Sequence, residues 1–197
     1  MSAAEKWVTT SDALVGAIKE GVGKVVISGR LSNAASLHLS PGQSLCGAAE
    51  DSSIAFVDAA DGVELTSDNA IHNVHLYTEP QQRAIFNDMS VVTLGRVQLR
   101  GVTTQGRVQI LARDKVRGGH LEVNGLDIVA ADARAERERP RGYGVSVLQG
   151  SFTLWNMQHD EDVALSADLV GISAGREGAP VRGSGVFLSG FKANTKI

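Results

Sequence analysis

The densest group of chemistry-bearing side chains is His159, Asp160, Glu161 and Asp162, inside WNMQHDEDVALSAD (155–168). An imidazole beside closely spaced carboxylates can divide general acid and general base roles, or offer oxygens to a divalent cation. His159, Asp160 and Asp162 are therefore the catalytic candidates. An EF-hand calcium loop is excluded, because the glycine and the later glutamate it requires are missing. The same tetrad also reads as a solvated turn.

A second group lies in ADARAERERPRGYG (131–144), where Arg134, Arg137, Arg139 and Arg141 alternate with Asp132, Glu136 and Glu138. Guanidinium forks match planar carboxylates such as those of acidic sugars. Tyr143 adds a ring for stacking. Arg139, Arg141 and Tyr143 are substrate-binding candidates; the alternative is a self-neutralising loop punctuated by Pro140. The third group is HNVHLYTE (72–79). In Val74-His75-Leu76 the two aliphatic residues point one way and His75 the other. His75, Tyr77 and Glu79 then form one outward row beside a shallow groove, and His75 and Tyr77 complete the substrate-binding candidates. His72 lies near a turn, so the His-x-x-His spacing that chelates on a helix does not apply. No metal site and no cofactor is expected. The Gly-rich GISAGREGAPVRGSG (171–185) lacks the spacing and the flanking strand and helix of a phosphate loop.

These residues need a scaffold, and the sequence describes one. The clear helix signal is early. Thr10, Ser11 and Asp12 offer N-cap oxygens and a first-turn carboxylate, Leu14, Ala17 and Ile18 make an apolar stripe, and Gly21 suits a C′ position. The spacing predicts a helix over 11–20. Beyond Gly23 the pattern changes to short runs alternating in and out, such as Val63-Glu64-Leu65, Val97-Gln98-Leu99 and Leu126-Asp127-Ile128. Apolar anchors Leu39, Leu65, Leu94, Val123 and Val147 recur about every 26 residues, as do Leu76, Leu99, Ile128 and Leu154. Asn73, Asn87, Asn124 and Asn156 fall near expected turns, where Asn tolerates left-handed geometry. Two or three short strands per unit, with turns between, make one coil of a parallel β-helix. Identity between units is low because only inward positions must be apolar.

The succession of an amphipathic helix, KVVISGRL, LHLSPGQSLCG and VELTSDNAIHNVHL resembles the start of a right-handed parallel β-helix of the pectate-lyase-like kind. The resemblance covers about residues 10–155 as a pattern. It implies an all-β solenoid of about five or six coils, with a capping helix in segment 1–23, coils over 24–190 and a tail at 191–197. In that family the helix shields the open first coil. The family holds lyases, glycoside hydrolases, esterases and non-catalytic surface proteins. The lyase signatures Arg-x-Pro-x-x-Arg and Trp-x-Asp-His are absent. Arg113-Asp114-Lys115 matches the polygalacturonase Arg-x-Lys alone, without its companion motifs.

Composition bounds the partners. Net charge is −3, so no basic field favours nucleic acid or an anionic membrane. No apolar run approaches the roughly 20 residues that span a bilayer. The N-terminus lacks a signal-peptide pattern, which makes the cytoplasm the default compartment. Cys46 is the single cysteine, which excludes an internal disulfide. Two functions are expected. One is a carbohydrate-binding or carbohydrate-active module on an extended polysaccharide, a polysaccharide lyase or glycoside hydrolase if an enzyme. The other is a non-catalytic assembly module, because no amphipathic helix follows the last strand run and homo-oligomers would form through that C-terminal coil.

Overall fold

The computed structural model describes residues 4–113, 115–133, 150–158, 163–175 and 184–196. The helix, α1, spans Ser11–Lys19. Thr10 caps it with extended backbone, and its Oγ1 accepts the Ala13 N–H at 3.2 Å. Leu14, Ala17 and Ile18 are buried, as the stripe predicts. Gly21 takes φ 73° and its N–H reaches the Ile18 carbonyl at 3.0 Å, ending the helix.

All other elements are strands, and every strand pairing among the described residues is parallel. The chain passes repeatedly through three strand segments. The first segments are β1 (Glu5–Val8), β2 (Lys24–Ile27), β5 (Ser44–Gly47) and β8 (Ala70–His72). The second are β3 (Arg30–Ala34), β6 (Ser53–Phe56) and β9 (His75–Tyr77). The third are β4 (Leu37–His38), β7 (Val63–Leu65) and β10 (Arg83–Asn87). Later, first and second segments fuse into long bent strands: β11 (Thr93–Gln105), β13 (Gly118–Ala130) and β15 (Ala164–Ala174). Their third segments are β12 (Arg107–Ala112), β14 (Gly150–Asn156) and β16 (Ser184–Ser189), and β17 (Lys192–Lys196) closes the described chain. One sheet has the order β1-β2-β5-β8-β11-β13-β15-β17, with β3-β6-β9 joined through β11; the other runs β16-β14-β12-β10-β7-β4. The molecule is thus all-β, built from parallel sheets, with one helix among the described residues.

Register explains the core. Val25, Leu45, Ile71, Leu99, Val123 and Leu169 are successive partners and all are buried. Leu37, Val63, Ile85, Val108 and Phe152 form a second buried column on the other sheet. The described anchors of the sequence pattern are buried, but they do not form single columns. Leu65 ends a third segment and Leu39 directly follows one, whereas Leu94 and Val123 belong to the first. Variable turns shift the apparent phase, so the 26-residue recurrence is an average over segments.

The bend between first and second segments is a stacked left-handed corner. Asn73 (φ 51°), Gly101 (φ 59°), Gly125 (φ 74°) and Gly171 (φ 64°) occupy it in successive rungs. Gly101, Gly125 and Gly171 let the long strands turn without a Cβ penalty. Of the four asparagines expected in such geometry, Asn73 adopts it. Asn87, Asn124 and Asn156 lie within strands, with Asn124 directly before the corner glycine.

Buried amides stitch the early rungs. Gln43 Oε1 accepts the Ser40 N–H at 2.7 Å, while its Nε2 donates to the Ile18 and Val22 carbonyls at the helix end, at 3.1 and 2.9 Å. One rung on, Asn69 accepts the Thr66 N–H at 2.7 Å and donates to the carbonyls of Ser40 and Gln43, at 2.8 and 3.1 Å. These side chains satisfy turn groups that the sheets leave unpaired. Strand pairing also reaches beyond residues 24–190 at both ends, because β1 pairs with β2 and β17 with β15.

Candidate functional site

The second segments present an outward row: Arg30, Ser53, His75, Thr103, Asp127 and Ser173 are successive partners. His75 therefore faces out as the alternation predicts, with Leu76 buried beside it. Its Nδ1 lies 2.9 Å from Tyr77 Oη, and the rings meet edge to face with centroids 6.0 Å apart. This hydrogen bond fixes the imidazole, and Nε2 is left to face solvent or a ligand.

A trough runs past this pair. One depression, of about 720 Å³, is lined by Gly47, Ala48, Ala49, Glu50, Asn73, His75, Gly101 and Thr103. A second, of about 380 Å³, is lined by Arg30, Glu50, Asp51, Ser53, His75 and Tyr77. His75 and Glu50 belong to both, so the two depressions adjoin. Lining residues come from β3, β6, β9 and β11, three inter-strand spacings of about 4.8 Å, or about 14 Å along the stack.

The rim is the turn after β5. Ser52 is fully buried; its Oγ accepts the Ala49 N–H at 3.0 Å and donates to the Ile27 carbonyl at 3.0 Å. That anchor holds Glu50 and Asp51 out at the lip. Arg30 pairs with Asp51 at 3.6 Å, both largely exposed. Glu50 has no hydrogen bond or ion pair among the described residues. The floor must be thin: a Cβ on Gly47 would stand 1.9 Å from the Asn73 carbonyl oxygen. The result is an open surface of hydroxyl, imidazole, phenol, carboxylate and guanidinium groups, apt for hydrogen bonding a hydroxyl-rich chain.

A separate polar cluster covers the outer face of the first segments. Glu122 accepts hydrogen bonds from Arg96 Nε (2.6 Å), Arg100 (3.1 Å) and Gln98 (2.9 Å). Burial alone would raise its pKa, but the hydrogen bonds from Arg96, Arg100 and Gln98 together outweigh it and hold the carboxyl below its ordinary value. His120 stands between Asp168 (3.3 Å) and Glu122 (3.8 Å), with Nδ1 2.8 Å from Ser166 Oγ. These groups satisfy one another. Beside them, burial, with Arg100 and Lys24 adding, pushes the His72 pKa down, and burial pushes the Cys46 thiol up. Cys46 is thereby kept from being a thiolate nucleophile at neutral pH.

Among the expected site residues, the structure brings His75 and Tyr77 together. The other substrate-binding candidates, Arg139, Arg141 and Tyr143, and the catalytic candidates His159, Asp160 and Asp162 lie outside the described residues. So does Asp114 of the Arg-x-Lys match. Among the described residues no three His, Cys, Asp or Glu side chains converge as metal ligands, and no helix is long and apolar enough to cross a membrane. Glu50, Asp51, Arg30 and Thr103 were not legible as site residues. They stand 20 residues or more from His75 in sequence, and only the register joins them. The one available sign was the small-residue turn GAAEDS, which interrupts the strand pattern with two acids.

No protein-family model matches the chain, and neither a curated protein nor a solved structure matches it.

Proposed function

We propose that the chain is a right-handed parallel β-helix of five or six coils, pectate-lyase-like in build, that binds an extended glycan in the trough beside His75 and Tyr77. The three-segment return of the chain, with parallel pairing throughout the described residues, supports the fold. The observation that carries the function is the adjoining pair of polar depressions sharing His75 and Glu50. An open trough with a fixed imidazole and a phenol ring at its centre suits alternating hydroxyls and sugar faces better than a compact apolar ligand. The reading assigns binding; turnover is not part of it.

The test is calorimetric titration with defined oligosaccharides, preceded by a glycan array. Tyr77→Ala is expected to weaken binding about tenfold, equivalent to about 1.4 kcal/mol. An unchanged affinity in both Tyr77→Ala and His75→Ala removes the trough as the site.

A second reading, an assembly module, is favoured by β17. All its residues are exposed and among the described residues it pairs with β15 alone. A free parallel edge is a template for another strand. Light scattering across a concentration series tests it: growth of mass with concentration supports the reading, and a constant monomer mass ends it.

A further inference from the structure

Resting on the glycan reading, we infer that the trough selects chains without acid groups, and amine-bearing chains above all, in place of the polyuronates bound by arginine-rich sites. Among the described residues, acids outnumber cations around His75. The charged side chains on the lining and on its outward row are Arg30, Glu50, Asp51 and Asp127. Arg30 is the one permanent cation of the set, and it is already opposed by Asp51 at 3.6 Å. Glu50, shared by both depressions, has no ion pair or hydrogen bond among the described residues, so its charge faces the open volume. Asp127, two rungs from His75 in the same row, bonds Ser173 Oγ at 2.7 Å and places a further carboxylate on the track a polymer would follow.

A uronate bound here would set its carboxylate against Glu50, and Arg30, the one guanidinium on the described lining, is already opposed by Asp51. Like charges in an exposed site repel, and more strongly as the site desolvates. An ammonium placed there gains the same interaction with opposite sign. A neutral sugar is indifferent to it. The turn that holds Glu50 and Asp51 is anchored by buried Ser52, so the two carboxylates are held at the rim when a ligand arrives.

Three hexasaccharides of equal length test this by titration at low salt: fully N-acetylated chitohexaose, its fully deacetylated amine form, and hexagalacturonate. The expected order of affinity is amine, then acetylated, then uronate, with at least fivefold between the ends, compressing as sodium chloride is raised through the range where the Debye length falls below 10 Å. The double variant E50Q/D51N, in exposed side chains and checked for folding by its melting curve, is expected to draw the three affinities together. Uronate binding equal to or tighter than the other two overturns the inference and leaves the glycan site standing. An affinity order that the double variant does not change also overturns it, because the selectivity then comes from other residues. No binding by any of the three overturns the glycan reading and this inference together.

Discussion

Asn69 shows how much a single buried amide can hold. It is fully buried, and it serves the Thr66 N–H and the Ser40 and Gln43 carbonyls at once. Asn69→Ala leaves the buried Thr66 N–H without that acceptor and takes one donor from each carbonyl, Ser40 keeping the Gln43 N–H at 3.1 Å and Gln43 the Ala70 N–H at 3.4 Å. The expected cost is about 3 kcal/mol, read from urea denaturation. Glu122 makes a pH prediction. Its folded pKa is lowered, so its stabilising contribution is present above the unfolded glutamate value and is lost as pH falls through the folded one. Wild type should therefore exceed Glu122→Gln in stability at neutral pH, and the difference should shrink on acidification below the ordinary glutamate range. Melting curves at a series of pH values check the sign. A gap that widens in acid contradicts the assigned direction.

At the scale of elements, α1 is tied to the sheets at both ends. Ser11 Oγ at its start, next to the Thr10 cap, donates to the Ser32 carbonyl of β3 at 2.6 Å, and Gln43 Nε2 donates to the carbonyls of Ile18 and Val22 at its finish. Thr10→Ala removes one capping bond and should destabilise the protein by about 1 kcal/mol. The long strands have a different dependence. Their bends rest on Gly101, Gly125 and Gly171 in left-handed geometry. Third segments are braced by Arg83, which holds Asp61 through Nε at 3.2 Å and a terminal nitrogen at 2.6 Å and stacks over Phe86 at 3.8 Å. That pair is largely shielded from solvent.

Across the whole molecule, each rung touches chiefly the rung before and after it, as the strand order requires. Disturbances should therefore stay local. In Thr10→Ala, amide exchange is expected to quicken in α1, β2 and β4 and to remain as in wild type in β13 and β14. Uniform acceleration across all strands would mean that the stack opens as one unit. The same nearest-neighbour construction places the trough where four rungs meet at a corner, with the β5–β6 turn as its lip.

Some of this was legible in the residues alone. The helix with its Thr10 cap and Gly21 stop, the alternating strands, and the outward pair His75 and Tyr77 follow from local rules, because capping, side-chain alternation and turn chemistry act within a few residues. β1 and β17 were not legible: EKWV and KANTK carry too little alternation of apolar and polar residues to announce a strand, and both become strands by pairing with a neighbour already formed. Nor was the company His75 keeps. Glu50 and Asp51 arrive from the preceding rung and Thr103 from the following one, and turn lengths decide which residues align. A turn can gain or lose residues without disturbing any local pattern, so register, and with it the make-up of the trough, was decided by the packing of one rung on the next.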